Sequence, residues 1–244
     1  RRAVRDFLDP KAGFSNRKRA SEIGSFFYMT ATSLLYRKES DMKTIYLVRH
    51  GRTRSNEEGR FQGWEDHPLS PVGQEQALSL KKRARDLMVA ALYTSDLMRT
   101  KETARPLAEE KQLVPQALAA FREISFGEWE GCRIRDLRKT DSKRLQTLWL
   151  TPTQVTLSGA EDLQEAQARG MKGLNEVKDA MEDGTAVMVV SHGGMIRLLL
   201  CCILQAPIDC MWHLTLDNTS VTKLTYDDLM GYRLIYLNQM GSLT

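Results

Sequence analysis

The stretch 185–194 constrains the fold most. A nearly unbroken apolar run over 185–190 leads into Ser191-His192-Gly193-Gly194, and an apolar helical segment over 195–204 follows at once. A run without polar alternation is the pattern of a strand covered on both faces, so it belongs to a sheet with helices on either side. A second unit of the same kind sits at 44–51, where β-forming residues over 44–48 end in Arg49-His50-Gly51. Strand C-terminal ends are where α/β sheets bind ligands. Glycine beside each histidine lets backbone approach a ligand, and the helix after Gly194 offers free N–H groups to an anion. Such a site favours phosphate, to which Arg49 and Arg99 can each present a planar donor fork.

The remaining pattern alternates. Residues 49–67 read as a long functional loop. A helix begins at Ser70-Pro71, an N-cap followed by a first-turn proline, with Ala77, Leu78 and Leu87 marking its apolar face. A strand over 89–93, a helix over 96–110 with Ser95 as its cap, and helices over 133–149 and 161–182 precede the strand at 185–190. Two late strands, 220–226 and 233–237, complete the sheet. The expected architecture is a three-layer α/β/α sandwich with a mostly parallel central sheet. Residues 1–41 are expected to be an appendage or a poorly ordered extension, with the domain occupying 42–244; their apolar stretch 23–36 is too short to span a bilayer.

Charge argues against a nucleic-acid partner. The formal charge of +4 is carried by 1–41, which hold nine basic and five acidic residues, leaving 26 of each sign in 42–244. A neutral body lacks the basic surface on which counterion release depends. The four cysteines, Cys132, Cys201, Cys202 and Cys210, form no C-x-x-C pair and no metal spacing, so reduced thiols in a cytoplasmic protein are expected, with Cys201 and Cys202 in a buried helix.

Taken singly, a histidine at a strand end is more often a satisfied structural residue than a catalyst. The ordered set changes that. Arg49, His50, Gly51, Thr53 and Asn56 are followed by Gln62, Gly63, Asp66, Pro68, Leu69, Gly73, Gln76 and Ala77. Then come Arg99 and Thr103, the group Glu123, Gly127, Trp129, Glu130 and Gly131, and finally His192 and Asn218. In this order and spacing the chain from Met42 onward resembles the histidine phosphatase, or phosphoglycerate mutase-like, superfamily.

The resemblance implies a phosphoglycerate mutase-like fold and a metal-free, cofactor-free phosphoryl transfer in two steps. His50 matches the nucleophile that becomes phosphohistidine. Arg49, Arg99 and His192 match the groups that hold the phosphoryl oxygens, with the amides of Gly51 and Gly193 and the side chain of Asn56 adding to them, beside Gln62 and Gly63. Glu123 matches the acid that protonates the leaving oxygen and later activates water. A cluster of positive charge should lower the His50 pKa, and the rate should follow a bell-shaped pH profile. Arg52 departs from the family pattern, and its side chain is open between a substrate contact and solvation. Residues 158–162 loosely resemble the family's Pro-Gly-Gly-Glu-Ser segment, which makes Glu161 a further candidate. His67 and His213 read as structural or surface residues, and Trp129 as packing beneath the acid loop.

The separation of 69 positions from Glu123 to His192 matches the compact phosphatase branch, similar to α-ribazole phosphatase-like and broad-specificity bacterial phosphatases, rather than the mutases with a longer insertion there. A small-molecule phosphate ester is the expected partner, without nucleic acid or membrane, for a monomer or homodimer. A cofactor-dependent phosphoglycerate mutase is one alternative. A catalytically idle module that binds phosphorylated ligands is the other, although such a module would be expected to have lost one of the core residues retained here.

Overall fold

The computed structural model describes residues 41–243, so the expectation for 1–41 lies, except for its last residue, outside the described residues. One mixed sheet is built from β1 (Lys43–Arg49), β2 (Ala91–Thr94), β3 (Gln116–Ala117), β4 (Ala186–Ser191), β5 (Val221–Asp227) and β6 (Gly231–Gln239), ordered β3-β2-β4-β1-β5-β6. The first four run parallel, and β5 and β6 close one edge antiparallel. The α-helices among the described residues are α1 (Arg54–Glu58), α2 (Pro71–Arg83), α3 (Met98–Lys111), α4 (Ile134–Thr140), α5 (Ser142–Leu150), α6 (Leu163–Asp179) and α7 (Gly193–Ile203).

The three layers follow from strand periodicity, because successive side chains face opposite sides of a sheet. Ile45 and Leu47 of β1 join Val187 and Val189 of β4 on the face covered by α6 and α7, through Leu174, Met195 and Leu199. Tyr46 and Val48 join Met188 and Val190 on the other face, under Leu80 of α2 and Leu107 of α3. The two cores thus clamp β1 and β4 in the middle of the sheet, and these are the strands that end in His50 and His192.

The structure departs from the sequence expectations at several places. The loop after β1 contains α1, closed by a capping box between Thr53 and Asn56. Leu78 of α2 is half exposed, and Leu80 takes its place in the core. The strand expected at 89–93 lies at Ala91–Thr94. The helix expected over 133–149 is broken at Asp141 into α4 and α5. Helix α3 starts at Met98 with Leu97 as its N-cap, so Ser95 is free for another task. Of the two helical cysteines, Cys201 is buried and Cys202 exposed.

Candidate active site

Arg49 of β1 stands in register with Ser191 of β4, and the ladder extends one step further as the His50 N–H donates to the Ser191 carbonyl at 2.9 Å. Parallel pairing therefore sets the two histidines abreast, with ring centroids 5.1 Å apart. His50 Nδ1 lies 2.7 Å from the Gly51 carbonyl. A carbonyl can only accept, so Nδ1 carries the proton and the lone pair is on Nε2. In His192, Nδ1 accepts from Arg99 Nε at 3.1 Å, so Nε2 carries the proton and donates to Ser95 Oγ at 2.7 Å. Both imidazoles are held neutral. Burial pushes their pKa values well below the ordinary histidine value, and Arg99 and Arg49 add to the effect. The cationic cluster expected to do this contributes, with burial as the largest single cause.

Beside the His50 ring lies a cavity of about 140 Å³, lined among others by Arg49, Asn56, Gln62, Gly63, Arg99, Glu123 and Gly193. Arg49 Nη1 is held by the Leu216 carbonyl, while its Nε is buried without a hydrogen-bond partner. Leaving such a donor unpaired costs free energy that an anionic oxygen recovers. Arg99 is fully buried and anchored, its Nη1 on the Glu65 carbonyl and its Nη2 on that of Gly63, both at 2.8 Å. Three of its five N–H groups are thus committed, leaving one on each terminal nitrogen. The Glu123 carboxyl accepts from Ile124, Gly194 and Met195 N–H at 3.0, 3.1 and 2.9 Å, so it caps the first turn of α7.

Several expected contacts are spent inside the protein. The Gly51 N–H donates to Thr103 Oγ1 at 2.8 Å and its carbonyl holds His50, so Gly51 orients the histidine and its amide is not offered to phosphate. His192 can reach a phosphoryl oxygen only by giving up Arg99 or Ser95. Two of the α7 N-terminal amides expected to meet phosphate are occupied by Glu123. Asn56 and Gln62 line the cavity but spend their side-chain carbonyls on Thr53. Arg52 is exposed and its N–H donates to Gln76 Oε1. Glu161 is absent from the cavity and pairs with Arg169. Trp129 is buried against Phe61, as packing should be, and half-buried His67 pairs with Glu65.

The chain matches the model of the histidine phosphatase superfamily (branch 1) over residues 45–238. It belongs to the histidine phosphatase superfamily. A Hydrogenobacter thermophilus protein that carries the name of a phosphoserine phosphatase is 30% identical over 202 residues, 82% of this chain and 97% of that one. A Salmonella choleraesuis protein that carries the name of a phosphoglycerate mutase is 32% identical over 187 residues, 77% of this chain and 86% of that one. The crystal structure of the α-ribazole phosphatase from Shigella flexneri superposes with a TM-score of 0.73 at 25% identity, covering 82% of this chain and 98% of that one.

The cavity of this histidine phosphatase superfamily member is also lined by residues that motif reading passed over. Arg197 of α7 lines the cavity; its Nε donates to the Leu214 carbonyl and its guanidinium lies 5.3 Å from the Trp212 ring centroid. Burial and the charge of Arg49 pull its pKa down to about 10. The signal was one of spacing, because Arg197 lies one helical turn beyond Gly193 and faces the same way. The aromatic wall of Trp149 and Trp212 had none, since α5 and the turn carrying Trp212 meet only in the folded chain. Among the described residues no His, Cys, Asp and Glu side chains gather as metal ligands, and no helix is long and apolar enough to cross a membrane.

Proposed function

We propose that this chain hydrolyses small-molecule phosphate monoesters without a metal, through a phosphohistidine on His50. The observation that carries the reading is the His50 Nδ1 bond to the Gly51 carbonyl, which fixes the nucleophilic tautomer beside a cationic cavity. In the first step the Nε2 lone pair attacks phosphorus, the bond to the ester oxygen breaks, and a protonated Glu123 gives its proton to that oxygen. In the second, water attacks phosphorus, its proton passes to the ionised Glu123, and the P–N bond electrons return to Nε2. Arg49, the two remaining N–H groups of Arg99, and Arg197 meet the charge on the equatorial oxygens. His192 serves by orienting Arg99 and keeping a neutral ring beside His50.

The test is turnover of a ³²P-labelled ester quenched in alkali, which preserves phosphohistidine. Label on the wild type and none on His50→Ala, with phosphate release lost in parallel, is the expected result. Label retained by His50→Ala, or release of phosphate without it, overturns the reading. The mutase name among the relatives supports one rival. Supplying 3-phosphoglycerate with catalytic 2,3-bisphosphoglycerate separates the two, since a mutase isomerises it and the proposed phosphatase releases phosphate.

A further inference from the structure

Glu123 stands on irregular backbone between two short 3₁₀ turns, Ala119–Phe121 and Gly127–Trp129, so no regular element fixes its position. Side chains from elsewhere in the fold do: Trp64 Nε1 donates to the Glu123 carbonyl and Ser191 Oγ to that of Phe121, both at 2.8 Å, and Arg169 of α6 takes the carbonyls around them. Arg169 Nη1 donates to the carbonyls of Ala119, Ala120 and Arg122 at 3.2, 2.9 and 3.2 Å, and Nη2 donates to the carbonyl of Glu123 itself at 3.3 Å. Glu161 holds that guanidinium from the other side, accepting Nε at 2.8 Å and Nη2 at 2.7 Å. The Glu161 N–H in turn donates to the Ser125 carbonyl at 3.1 Å, tying the pair to the far end of the same loop. Four of the five carbonyls over 119–123 thus accept from one cation. Their displacement would drag the Glu123 carboxyl off the α7 amides that orient it.

We infer that Arg169 and Glu161 are positioning residues that aim the Glu123 carboxyl at the leaving oxygen, and so govern proton transfer rather than phosphate binding. The inference rests on the reading of Glu123 as the general acid. A planar guanidinium with five donors can serve carbonyls and a carboxylate together, whereas a lysine cannot. Misplacing a catalytic group by about 1 Å costs on the order of 10²-fold in rate.

The experiment compares kcat/KM for p-nitrophenyl phosphate, whose leaving group needs no proton, with that for ethyl phosphate, whose leaving group does. Wild type, Glu161→Gln and Arg169→Lys are measured, each also on a Glu123→Gln background, with vanadate inhibition as the gauge of the phosphoryl site. The expected result is a loss of roughly 10- to 100-fold on ethyl phosphate with the aryl ester within about 3-fold. Vanadate affinity should be unchanged, and Glu123→Gln should show no further loss when either substitution is added. Equal losses on both esters, no loss on either, or an added loss in the double variants overturns the inference. So does failure of both variants to fold, since the pair then serves the fold alone. If Glu123→Gln itself does not separate the esters, the acid reading falls first. If it does and the Arg169 and Glu161 variants do not, only this inference falls.

Discussion

At the residue scale, hydrogen-bond commitments decide what each candidate can do. Glu123→Gln keeps an acceptor for the α7 amides but removes the transferable proton, so turnover of alkyl phosphates should fall about 10²- to 10⁴-fold with vanadate binding retained. Equal rates for variant and wild type on an alkyl ester would remove Glu123 from the mechanism. Arg197 has no carboxylate partner among the described residues and shares the Gly193 corner with Arg49. Arg197→Met should therefore lower kcat/KM about 10-fold, the value of one charge-assisted hydrogen bond, with kcat/KM and vanadate affinity falling together. An unchanged vanadate affinity would place Arg197 away from the phosphoryl group. That His50, Glu123, Arg49 and Arg99 meet around one cavity was legible in the sequence, the first and third because they stand at the end of a strand and the other two because the family motifs carry them. What each atom is already bonded to was not. That the Gly51 amide belongs to Thr103 and both nitrogens of His192 to Arg99 and Ser95 depends on partners 52, 93 and 97 residues away.

At the scale of elements, the loop after β1 is braced by backbone packed directly on backbone. A Cβ on Gly73, in the first turn of α2, would sit 2.0 Å from the Arg52 carbonyl oxygen, and one on Gly51 would sit 2.8 Å from the Gly73 carbonyl oxygen. Neither neighbour is a flexible side chain that can swing away. Gly73→Ala should destabilise the fold by about 2–3 kcal/mol, the overpacking range, and also lower activity by shifting the residues next to His50. Chemical denaturation and phosphate release on the same preparation check this, and an alanine variant of wild-type stability would contradict the packing. The start of α2 was readable from Ser70 and Pro71, since capping is local chemistry, and Ser70 Oγ accepts the Gly73 N–H as expected. The tight approach of Gly73 to Arg52 was not, because a glycine in a helix carries no mark of what presses on it. β3 was invisible for another reason: two residues have no period, and they pair only because β2 lies beside them.

For the whole molecule, the sheet order places both histidines where two cores exclude water, and that placement links stability to pH. His50 and His192 are 3% and 0% exposed, and burial, reinforced by Arg99 and Arg49, holds their folded pKa values well below that of an unfolded histidine, about 6.5. Between the folded and unfolded values the unfolded chain binds more protons, so stability is at its plateau above about pH 7 and declines as pH falls through 6.5. At pH 5.5 each ring accounts for up to about 1.4 kcal/mol, so the pair should cost up to roughly 3 kcal/mol relative to pH 7.5. The lowered carboxylates, such as Asp96 beside Arg122, contribute stability that is lost only at lower pH, so they leave this window clear. Urea unfolding at pH 7.5, 6.5 and 5.5 measures the decline, and replacing both histidines with glutamine should flatten it; a flat wild-type profile would mean that the rings are not buried neutral. The same displacement keeps His50, the proposed nucleophile, unprotonated in mildly acidic solution. An acid limb of kcat/KM near pH 6 therefore has to come from ionisation of the phosphate ester, and it should move with the ester's own pKa when the alcohol is changed. A limb that stays fixed across esters would assign it to the enzyme and return His50 to the ordinary histidine range.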